Sequence, residues 1–344
     1  MRIVNVDNLQ IRRYGRPRMA CGRSLACGMI RNNWRVWDFS ERDIAKFESP
    51  LGLFPIGKWM ANRRLIETCD NFKPDLILIG HCEIIQNRTL LEIRKLLPNV
   101  RIAFRIFDAL WEPWTVTRIR ERMPCVDAIF VTTGGSALRE YCTGKNVVAY
   151  FPNPTDPAVE DQDNSRKTSF DRDVVFCGCG NETDARHPFV GQLHQALQGQ
   201  VRFETFGMHG GPVVWGKAHE DILAGSKMGL NLNRFEGWPL YSSDRIAQLM
   251  GNGLLTCMWD KGNMRRFFSD EHVAYFSDMD GLVRRILEFQ HDDAKRQAVA
   301  AAGRAFYHEH FSGQRVMKFI AETTMGLPYS HDYLWASEVY RDQQ

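Results

Sequence analysis

Short apolar runs alternate with amphipathic stretches along most of the chain. In the first half, runs of strand length lie at residues 2–6, 36–39, 75–80, 102–107, 128–132 and 147–151. A second series lies at residues 174–177, 201–206, 228–232, 254–258 and 273–276. Helical periodicity falls between these runs, at residues 89–97, 186–197, 243–250, 279–290 and 294–310. Strands that alternate with helices predict parallel α/β sheets.

One polar stretch separates the two series. Residues 156–171 contain the run EDQDNSRKTS and show no periodicity, which predicts a linker. A chain of 344 residues has room for two domains. We therefore predict a Rossmann-like domain over residues 1–155, a second over 172–325, and a tail over 326–344 that packs back on the first. Two doubly wound lobes in succession place a ligand cleft between the carboxyl ends of their sheets.

Several protein classes are excluded by what the sequence lacks. No apolar run approaches the roughly 20 residues of a membrane span, and the start, MRIVNVD, does not resemble a signal peptide. Nine cysteines without a disulfide spacing suit a reducing compartment, so we expect a cytoplasmic protein. The signatures GxGxxG after the first strand, GxxxxGK[ST], HExxH and GxSxG are absent. Dehydrogenases, P-loop enzymes, zinc proteases and serine hydrolases of the common kinds are therefore disfavoured.

Charge is distributed unevenly along the chain. The total is 44 Lys and Arg against 41 Asp and Glu, but residues 1–150 hold 24 and 15 of these, a net charge of +9. Five arginines follow the first strand: Arg12, Arg13, Arg16, Arg18 and Arg23. They suit an anionic acceptor or an anionic membrane surface, and a solvated basic loop is the alternative. No recognised nucleic-acid module accompanies them, so a nucleic-acid partner is not expected.

Catalytic candidates stand at two strand ends in the first half. His81 and Glu83 follow the run at 75–80, and Asp108 follows the run at 102–107 with Trp111 and Trp114 behind it. Side chains at the carboxyl ends of parallel strands face the ligand. A carboxylate or an imidazole there can deprotonate an acceptor hydroxyl or support charge on a departing phosphate. The alternative is that these polar side chains only satisfy hydrogen bonds at the strand ends.

A candidate phosphate site lies in the second half. The sequence YSSD at 241–244 precedes a predicted helix, and Ser242 or Ser243 is expected to cap it. The amide groups at such a helix end favour a bound diphosphate. The alternative is an ordinary capped helix within a core layer.

Three segments of the second half carry a family resemblance: LNLNRFEGWPLYSSDRIAQLMGNGLLTCMWD at 230–260, EHVAYFSDMDGLVRRILEF at 271–289 and AAAGRAFYHEHFSGQRV at 300–316. They resemble the sugar-nucleotide-binding lobe of group 1 glycosyltransferases with the GT-B fold, and within that group the spore-maturation-protein-like branch. The likeness covers roughly residues 172–325. The first half is similar only in its strand order.

The resemblance implies roles for particular residues. It implies a donor site formed by Gly178, Gly180, Arg186, Ser242, Ser243, Asp244, Arg245 and Gln248. Relatives usually carry Glu at the position of Gln248, where it accepts hydrogen bonds from the ribose, and an amide oxygen can still accept them. Glu236 resembles an acidic residue beside the donor sugar, but its spacing to Gln248 is longer than in relatives. It lies either in the active site or in a lengthened loop.

The function implied by the resemblance is glycosyl transfer by a GT-B enzyme, an α/β protein whose two Rossmann-like lobes face each other across a cleft. A nucleotide-sugar donor would give its sugar to a glycan, a lipid-linked or another anionic acceptor, with retention or inversion and with no metal or cofactor. We expect this enzyme in the cytoplasm, peripheral at the inner face of the cell membrane. The alternatives are a GT-B nucleotide-sugar epimerase or hydrolase and a non-catalytic glycan- or nucleotide-binding module.

Overall fold

The computed structural model describes residues 1–16 and 20–342, which fold as two compact units. Unit 1 comprises Met1–Pro152 and Gly313–Gln344, and unit 2 comprises Asn153–Ser312. The strands and helices predicted from the sequence are confirmed, with ends that differ by one or two residues. None of the helices in the described part of the chain combines the length and apolar character that a membrane span requires.

Unit 1 begins with alternating strands and helices. Strands such as LILI at 76–79 are buried along their whole length, as expected for a parallel sheet covered on both faces. The elements are β1 (Arg2–Asp7), α1 (Ala20–Arg31), β2 (Arg35–Ser40), α2 (Glu41–Phe47), α3 (Phe54–Phe72), β3 (Leu76–Ile79), α4 (Asn87–Leu96), β4 (Arg101–Ile106), α5 (Pro113–Arg122), β5 (Ala128–Val131) and β6 (Val147–Tyr150).

Unit 2 repeats the same plan on a smaller sheet. Its core is formed by the apolar faces of the strands and of the helices that cover them. The elements are β7 (Arg172–Cys177), α6 (Arg186–Leu197), β8 (Phe203–Phe206), α7 (Lys217–Ala224), β9 (Ser226–Asn231), α8 (Arg245–Gly251), β10 (Leu255–Trp259), β11 (Ala274–Phe276), α9 (Met279–His291) and α10 (Asp293–His310).

The chain then returns to unit 1. The helix α11 (Gly313–Met325) packs on α1 so closely that a Cβ on Gly28 would lie 2.1 Å from the carbonyl oxygen of Gly313. The strand β12 (Val339–Tyr340) pairs antiparallel with β6. Our predicted boundary at residue 325 is therefore placed differently by the structure, because the apolar face of α11 is buried in unit 1.

The predicted linker at 156–171 is a packed part of unit 2. Asp156, Glu160 and Asn164 are buried. The Asn164 side-chain amide donates to the carbonyl oxygens of Leu223 at 2.7 Å and Ser226 at 2.8 Å. The stretch is polar because these side chains satisfy main-chain groups of unit 2, and not because it is a solvated connection.

The strand orders place one switch point in each unit. In the described residues the sheet of unit 1 runs β12-β6-β5-β4-β3-β1-β2, and that of unit 2 runs β11-β10-β9-β7-β8. Neighbours in both sheets are parallel except for the β12–β6 pair. The order reverses between β1 and β3 in unit 1 and between β7 and β9 in unit 2. Ligands of open α/β sheets bind at the carboxyl edge of such a reversal.

Candidate functional site

A buried arginine occupies the switch point of unit 2. Arg245, the first residue of α8, donates from Nε to the Cys177 carbonyl oxygen at 2.7 Å and from Nη1 to that of Leu232 at 3.0 Å. Cys177 ends β7 and Leu232 follows β9, so the guanidinium spans the reversal. It also lies 4.9 Å from the ring centroid of Phe176.

Arg245 has neutral partners. Besides the two carbonyl groups, Nη1 donates to the Ser243 hydroxyl at 3.1 Å. In the part of the chain that the structure describes, no carboxylate forms an ion pair with this guanidinium. Burial, together with the nearby Arg186 charge, lowers the pKa of Arg245, but arginine stays protonated in proteins. The edge therefore carries a buried positive charge that an anion can neutralise.

Arg186, a predicted phosphate ligand, is buried and already paired. Its Nε and Nη2 donate to the two Asp184 carboxylate oxygens at 2.8 and 2.7 Å, and Nη2 also donates to the Cys179 carbonyl oxygen at 3.0 Å. Burial opposes ionisation of Asp184, but the hydrogen bonds from Arg186 outweigh it and lower the pKa of the carboxyl to about 2. Arg234 adds a second cation, 3.3 Å from Oδ2 of Asp184.

Gly178 and Gly180 let the main chain pass close to these charges. A Cβ on Gly178 would lie 3.2 Å from Nη2 of Arg245, and one on Gly180 would lie 2.8 Å from Oδ2 of Asp184. A pocket of about 760 Å³ opens beside this loop, a volume within the range of small-molecule sites. Its lining consists of Gly180, Asn181, Glu182, Thr183, His187, Gly207, Met208, His209, Gly210 and Gly211.

The expected serine cap of α8 is wrong. The helix begins at Arg245 with Asp244 as its N-cap residue, and no side chain accepts a capping hydrogen bond there. Ser242 is buried and its hydroxyl accepts from Asn231 Nδ2 at 3.0 Å, while the Ser243 hydroxyl accepts from Arg245. Both hydroxyls therefore have other partners, and the positive charge at this edge comes from the Arg245 side chain instead of from a capped helix end.

Gln248 and Glu236 lie on either side of this turn in the sequence. Gln248 is half-buried in α8 and donates to the exposed Asp244 carboxylate at 3.2 Å. Glu236 accepts from the main-chain N–H of Asn233 at 2.7 Å, and burial raises the pKa of its carboxyl. Asn233 Oδ1 in turn accepts from the Ser243 N–H at 3.3 Å. Glu236 thus helps to shape the 233–243 loop, whatever its role toward a ligand.

The three acceptor-side candidates line one pocket in unit 1. His81, Glu83 and Asp108 share a small pocket of about 30 Å³ at the carboxyl ends of β3 and β4. His81 Nε2 lies 3.4 Å from Oε1 of Glu83, and its ring meets that of Trp114 edge-on at 5.7 Å. Glu83 also pairs with the Arg42 guanidinium at 2.5 Å. An imidazole, two carboxylates and an aromatic ring in one pocket suit the binding and deprotonation of a hydroxyl.

A buried ion pair at the base of this pocket was not predicted. Asp7 ends β1, and its carboxylate accepts from Arg105 of β4, from the N–H of Asn8 at 2.8 Å and from that of His81 at 3.1 Å. Both charged side chains are buried. The sequence does contain one indication of this pair: Arg105 is the single charged residue in the apolar run IAFRIF. An arginine inside a buried strand requires a buried partner.

The loop that carries His81 and Glu83 is fixed by two further buried charges. The Glu41 carboxylate accepts from the main-chain N–H groups of Glu83, Ile84 and Ile85 at 2.8, 2.8 and 3.1 Å. Arg122 donates to the Ile85 carbonyl oxygen at 2.6 Å. Burial raises the pKa of Glu41 and lowers that of Arg122. The loop that forms the pocket wall is therefore fixed by hydrogen bonds to both Glu41 and Arg122.

The predicted arginine cluster follows β1 in the sequence. Arg12, Arg13 and Arg16 are exposed, as is Arg23 in α1. Arg18 lies outside the described residues. Among the residues that are described, no group of three or more His, Cys, Asp or Glu side chains is arranged to hold a metal ion.

A family model matches part of the chain that forms the unit 2 site. Residues 185–322 match the family described as glycosyl transferase-like. The match covers less than half of the chain and includes Arg186, Glu236, Arg245 and Gln248. No curated protein matches the sequence significantly.

Solved structures share the fold over nearly the whole chain. Sucrose-phosphate synthase of Thermosynechococcus elongatus has a TM-score of 0.55 at 12% identity, covering 94% of this chain and 98% of its own. Anabaena HepE in complex with UDP-glucose scores 0.54 at 15%, covering 95% and 100%. The phage T4 β-glucosyltransferase scores 0.53 at 11%, covering 95% and 100%. At these identities the likeness is one of fold, and it confirms the predicted two-lobe Rossmann-like GT-B class. The shared fold and the matched segment together support a glycosyltransferase of the group 1 type.

Proposed function

We propose that this chain is a nucleotide-sugar-dependent glycosyltransferase of the spore-maturation-protein-like branch. The observation that carries the proposal is the buried Arg245 guanidinium, which lies at the switch point of unit 2 with neutral partners. A positive charge at the carboxyl edge of a Rossmann-like sheet suits the diphosphate of a sugar nucleotide. HepE was solved with UDP-glucose on the same fold.

On the donor side, Arg245 takes the diphosphate and Arg186 adds a second positive charge. Gly178 and Gly180 allow the phosphates to approach the main chain. Ser242, Ser243, Asp244 and Gln248 complete the wall, with the Gln248 amide as acceptor for a ribose hydroxyl. The pocket of about 760 Å³ beside the glycine loop has room for the nucleoside.

The main charge that the enzyme must stabilise during the reaction is the one on the leaving group. When the bond from the sugar to the diphosphate breaks, negative charge accumulates on the departing phosphate. A fixed guanidinium stabilises that charge without having to reorganise during the step. We propose that arginine supplies this stabilisation and that the transfer requires no metal ion.

On the acceptor side, the base is one of the three groups that line the unit 1 pocket. Glu83 is engaged by Arg42 and lies near His81, an arrangement in which the carboxylate orients the imidazole. Asp108 lies on the same pocket. The exposed arginines of unit 1 favour an anionic or membrane-associated acceptor, such as a lipid-linked glycan.

The test of donor binding is a ligand screen on the full chain. UDP-, GDP-, ADP- and CMP-linked sugars are compared by thermal shift and by saturation-transfer NMR, with free ribose and free glucose as controls. We expect one nucleotide class to bind and to compete with its free nucleoside diphosphate, or with CMP for the CMP-linked donors. A complete absence of binding would favour the non-catalytic alternative. Rapid turnover of the bound donor without any acceptor would favour an epimerase or a hydrolase.

The test of the base uses three single variants: Asp108→Asn, Glu83→Gln and His81→Gln. General-base catalysis contributes roughly 100-fold or more to the rate, so one variant should lose about that much in kcat. Its donor affinity should remain unchanged, which separates chemistry from binding. If all three variants keep full kcat, the base lies elsewhere and the pocket is not the acceptor site.

A further inference from the structure

The connection between α2 and α3 exposes large apolar side chains. Phe47 is 89% exposed, Leu51 is 99% exposed and Trp59 is 53% exposed. Leu53 and Ile56 are exposed as well, so five apolar side chains face solvent within residues 47–59. Single exposed apolar residues are ordinary, but such a concentration in one short segment marks a surface that binds something. We call residues 46–59 the apolar loop.

The backbone of this loop is held in place by its roots. Gly57 of α3 lies against α2, where a Cβ would come within 1.9 Å of the Ala45 carbonyl oxygen. The Ser49 hydroxyl donates to the same carbonyl at 2.6 Å. Phe54 packs with Ala45, Ala61 and Ile84 in a small core. The apolar side chains are therefore displayed by a fixed scaffold.

Leu51 is placed at the tip against its own conformational preference. Its φ of +51° is left-handed, and it is followed by Gly52 at φ +75°. Glycine or asparagine would adopt this turn at lower cost, and either would also be better solvated than leucine. A fully exposed leucine in a strained turn is costly for the free chain on both counts. A partner that buries the side chain offsets that cost.

Two lysines lie at the root of the apolar loop. The Lys46 and Lys58 ammonium groups lie 4.6 and 5.1 Å from the ring centroid of Phe54, so both flank the root of the loop. Glu48, the acidic residue within the loop, is paired with Arg64 at 2.8 Å. Apolar and aromatic tips flanked by lysines match the chemistry of the membrane interface, where the tip enters the acyl boundary and the lysines meet anionic headgroups.

A second exposed segment is hydrogen-bonded to the first turn of α2. The Asp43 carboxylate accepts from the main-chain N–H groups of Ile11 at 2.9 Å and Arg12 at 3.3 Å. These hydrogen bonds hold the turn at residues 11–14, which we call the basic turn and in which Tyr14 is 91% exposed, next to α2. A helix of seven residues spans only about 10 Å, so the basic turn and the apolar loop lie close together.

We propose that the apolar loop anchors unit 1 to an anionic lipid bilayer, with Phe47 and Leu51 inserted and Lys46 and Lys58 at the headgroups. The loop adds a specific docking surface to the proposed function, since a membrane-bound enzyme reaches a lipid-linked acceptor. The contact itself does not involve the donor site. Its outcome is therefore independent of whether the chain binds a nucleotide.

The experiment is flotation of the full chain with vesicles of phosphatidylcholine alone or mixed with an equal amount of phosphatidylglycerol. We expect binding to the mixed vesicles, weakened by high salt because the lysine contribution is screened. Phe47→Ser with Leu51→Ser should lower the partition coefficient by at least about tenfold, since two inserted apolar side chains are lost. Lys46→Glu with Lys58→Glu should lower binding to the mixed vesicles by about tenfold or more.

The matched control lies on another helix of unit 1. Leu91→Ser with Lys95→Glu on α4 makes the same kinds of change at exposed positions and should leave the partition coefficient unchanged. Urea denaturation of every variant, followed by tryptophan fluorescence without vesicles, checks that the fold is retained. Absence of flotation, or equal flotation of the loop and control variants, would overturn the proposal. A wild-type dimer in size-exclusion chromatography that Leu51→Ser converts to a monomer would identify the loop as a self-interface instead.

Discussion

The two switch points use the same backbone arrangement but differ in how their charge is balanced. In each unit a glycine follows a strand at the reversal, and its missing side chain makes room for a buried arginine. A Cβ on Gly80 would lie 2.8 Å from Nη2 of Arg105, and one on Gly178 would lie 3.2 Å from Nη2 of Arg245. Arg105 is paired with Asp7, whereas Arg245 donates to carbonyl groups and a hydroxyl.

We interpret the Arg105 charge as structural and the Arg245 charge as available to a ligand. A buried arginine that is neutralised by a carboxylate holds two strand ends together and attracts no further anion. A buried arginine with neutral partners keeps its charge available at the edge where ligands bind. We therefore interpret the unit 1 switch point as an electrically neutral structural element, and we propose the unit 2 switch point as the anion site.

The largest effect is expected from Arg105→Met. The change leaves the Asp7 carboxylate buried without its cation, which costs about 3–5 kcal/mol of unfolding free energy. Urea denaturation followed by tryptophan fluorescence measures this loss. The double variant Asp7→Asn with Arg105→Met should recover most of it, because an asparagine amide oxygen can still accept from the Asn8 and His81 N–H groups. A single variant that is as stable as the wild type would show that the pair has no structural role.

Arg245→Met should give the opposite result. We expect the affinity for the bound nucleoside diphosphate to fall on the order of 100-fold, because charge-assisted hydrogen bonds to the phosphates are lost. Stability should change less than in Arg105→Met, since no buried carboxylate is left unpaired. Isothermal titration calorimetry measures the affinity.

The matched control for Arg245 is Arg202→Met in the same unit. Arg202 pairs with Asp173 at 2.8 Å, at the amino edge of the sheet, where β7 and β8 begin. Its loss should leave nucleotide affinity unchanged. If Arg245→Met also binds the nucleotide with full affinity, the two switch points do not differ in function and the anion site lies elsewhere.

The strands, and the candidate residues at their ends, could be predicted from the local pattern of apolar and polar residues. Buried parallel strands are nearly continuous apolar runs, so β3 and β4 were evident, and His81, Glu83 and Asp108 follow them directly. The Asp7–Arg105 pair could not be found in this way. It joins β1 to β4 across β3, and only the sheet order and the absent side chain of Gly80 bring the two together.

Two other features depended on packing that the sequence pattern does not encode. Serine before a helix commonly caps it, which is why we predicted a serine cap for α8. In the structure the Ser242 hydroxyl instead accepts a hydrogen bond from Asn231. The unit boundary was misplaced because α11 is amphipathic in sequence, and amphipathicity does not say which sheet a helix covers. Contacts between residues far apart in the chain decide both features.

The smallest effect is expected at Asp184, the carboxylate that pairs with Arg186 beside the proposed anion site. Asp184 neutralises Arg186, and its pKa is lowered from 3.8 to about 2 in the folded chain. The fold therefore favours the ionised form, so this stabilisation is complete above pH 4 and is lost as the pH falls toward 2. Asp184→Asn should cost about 2 kcal/mol at neutral pH and almost nothing near pH 2, as measured by urea denaturation across that range.

The same variant shows whether Arg186 is available to the ligand. In this variant the amide oxygen of residue 184 can still accept from Arg186, but the second acceptor oxygen and the negative charge of the carboxylate are lost beside the proposed anion site. Nucleotide affinity should therefore rise in Asp184→Asn, provided that Arg186 reaches the phosphates. Unchanged affinity with reduced stability would assign the Asp184–Arg186 pair a structural role like that of Asp7 and Arg105, and would leave Arg245 as the cation that binds the donor.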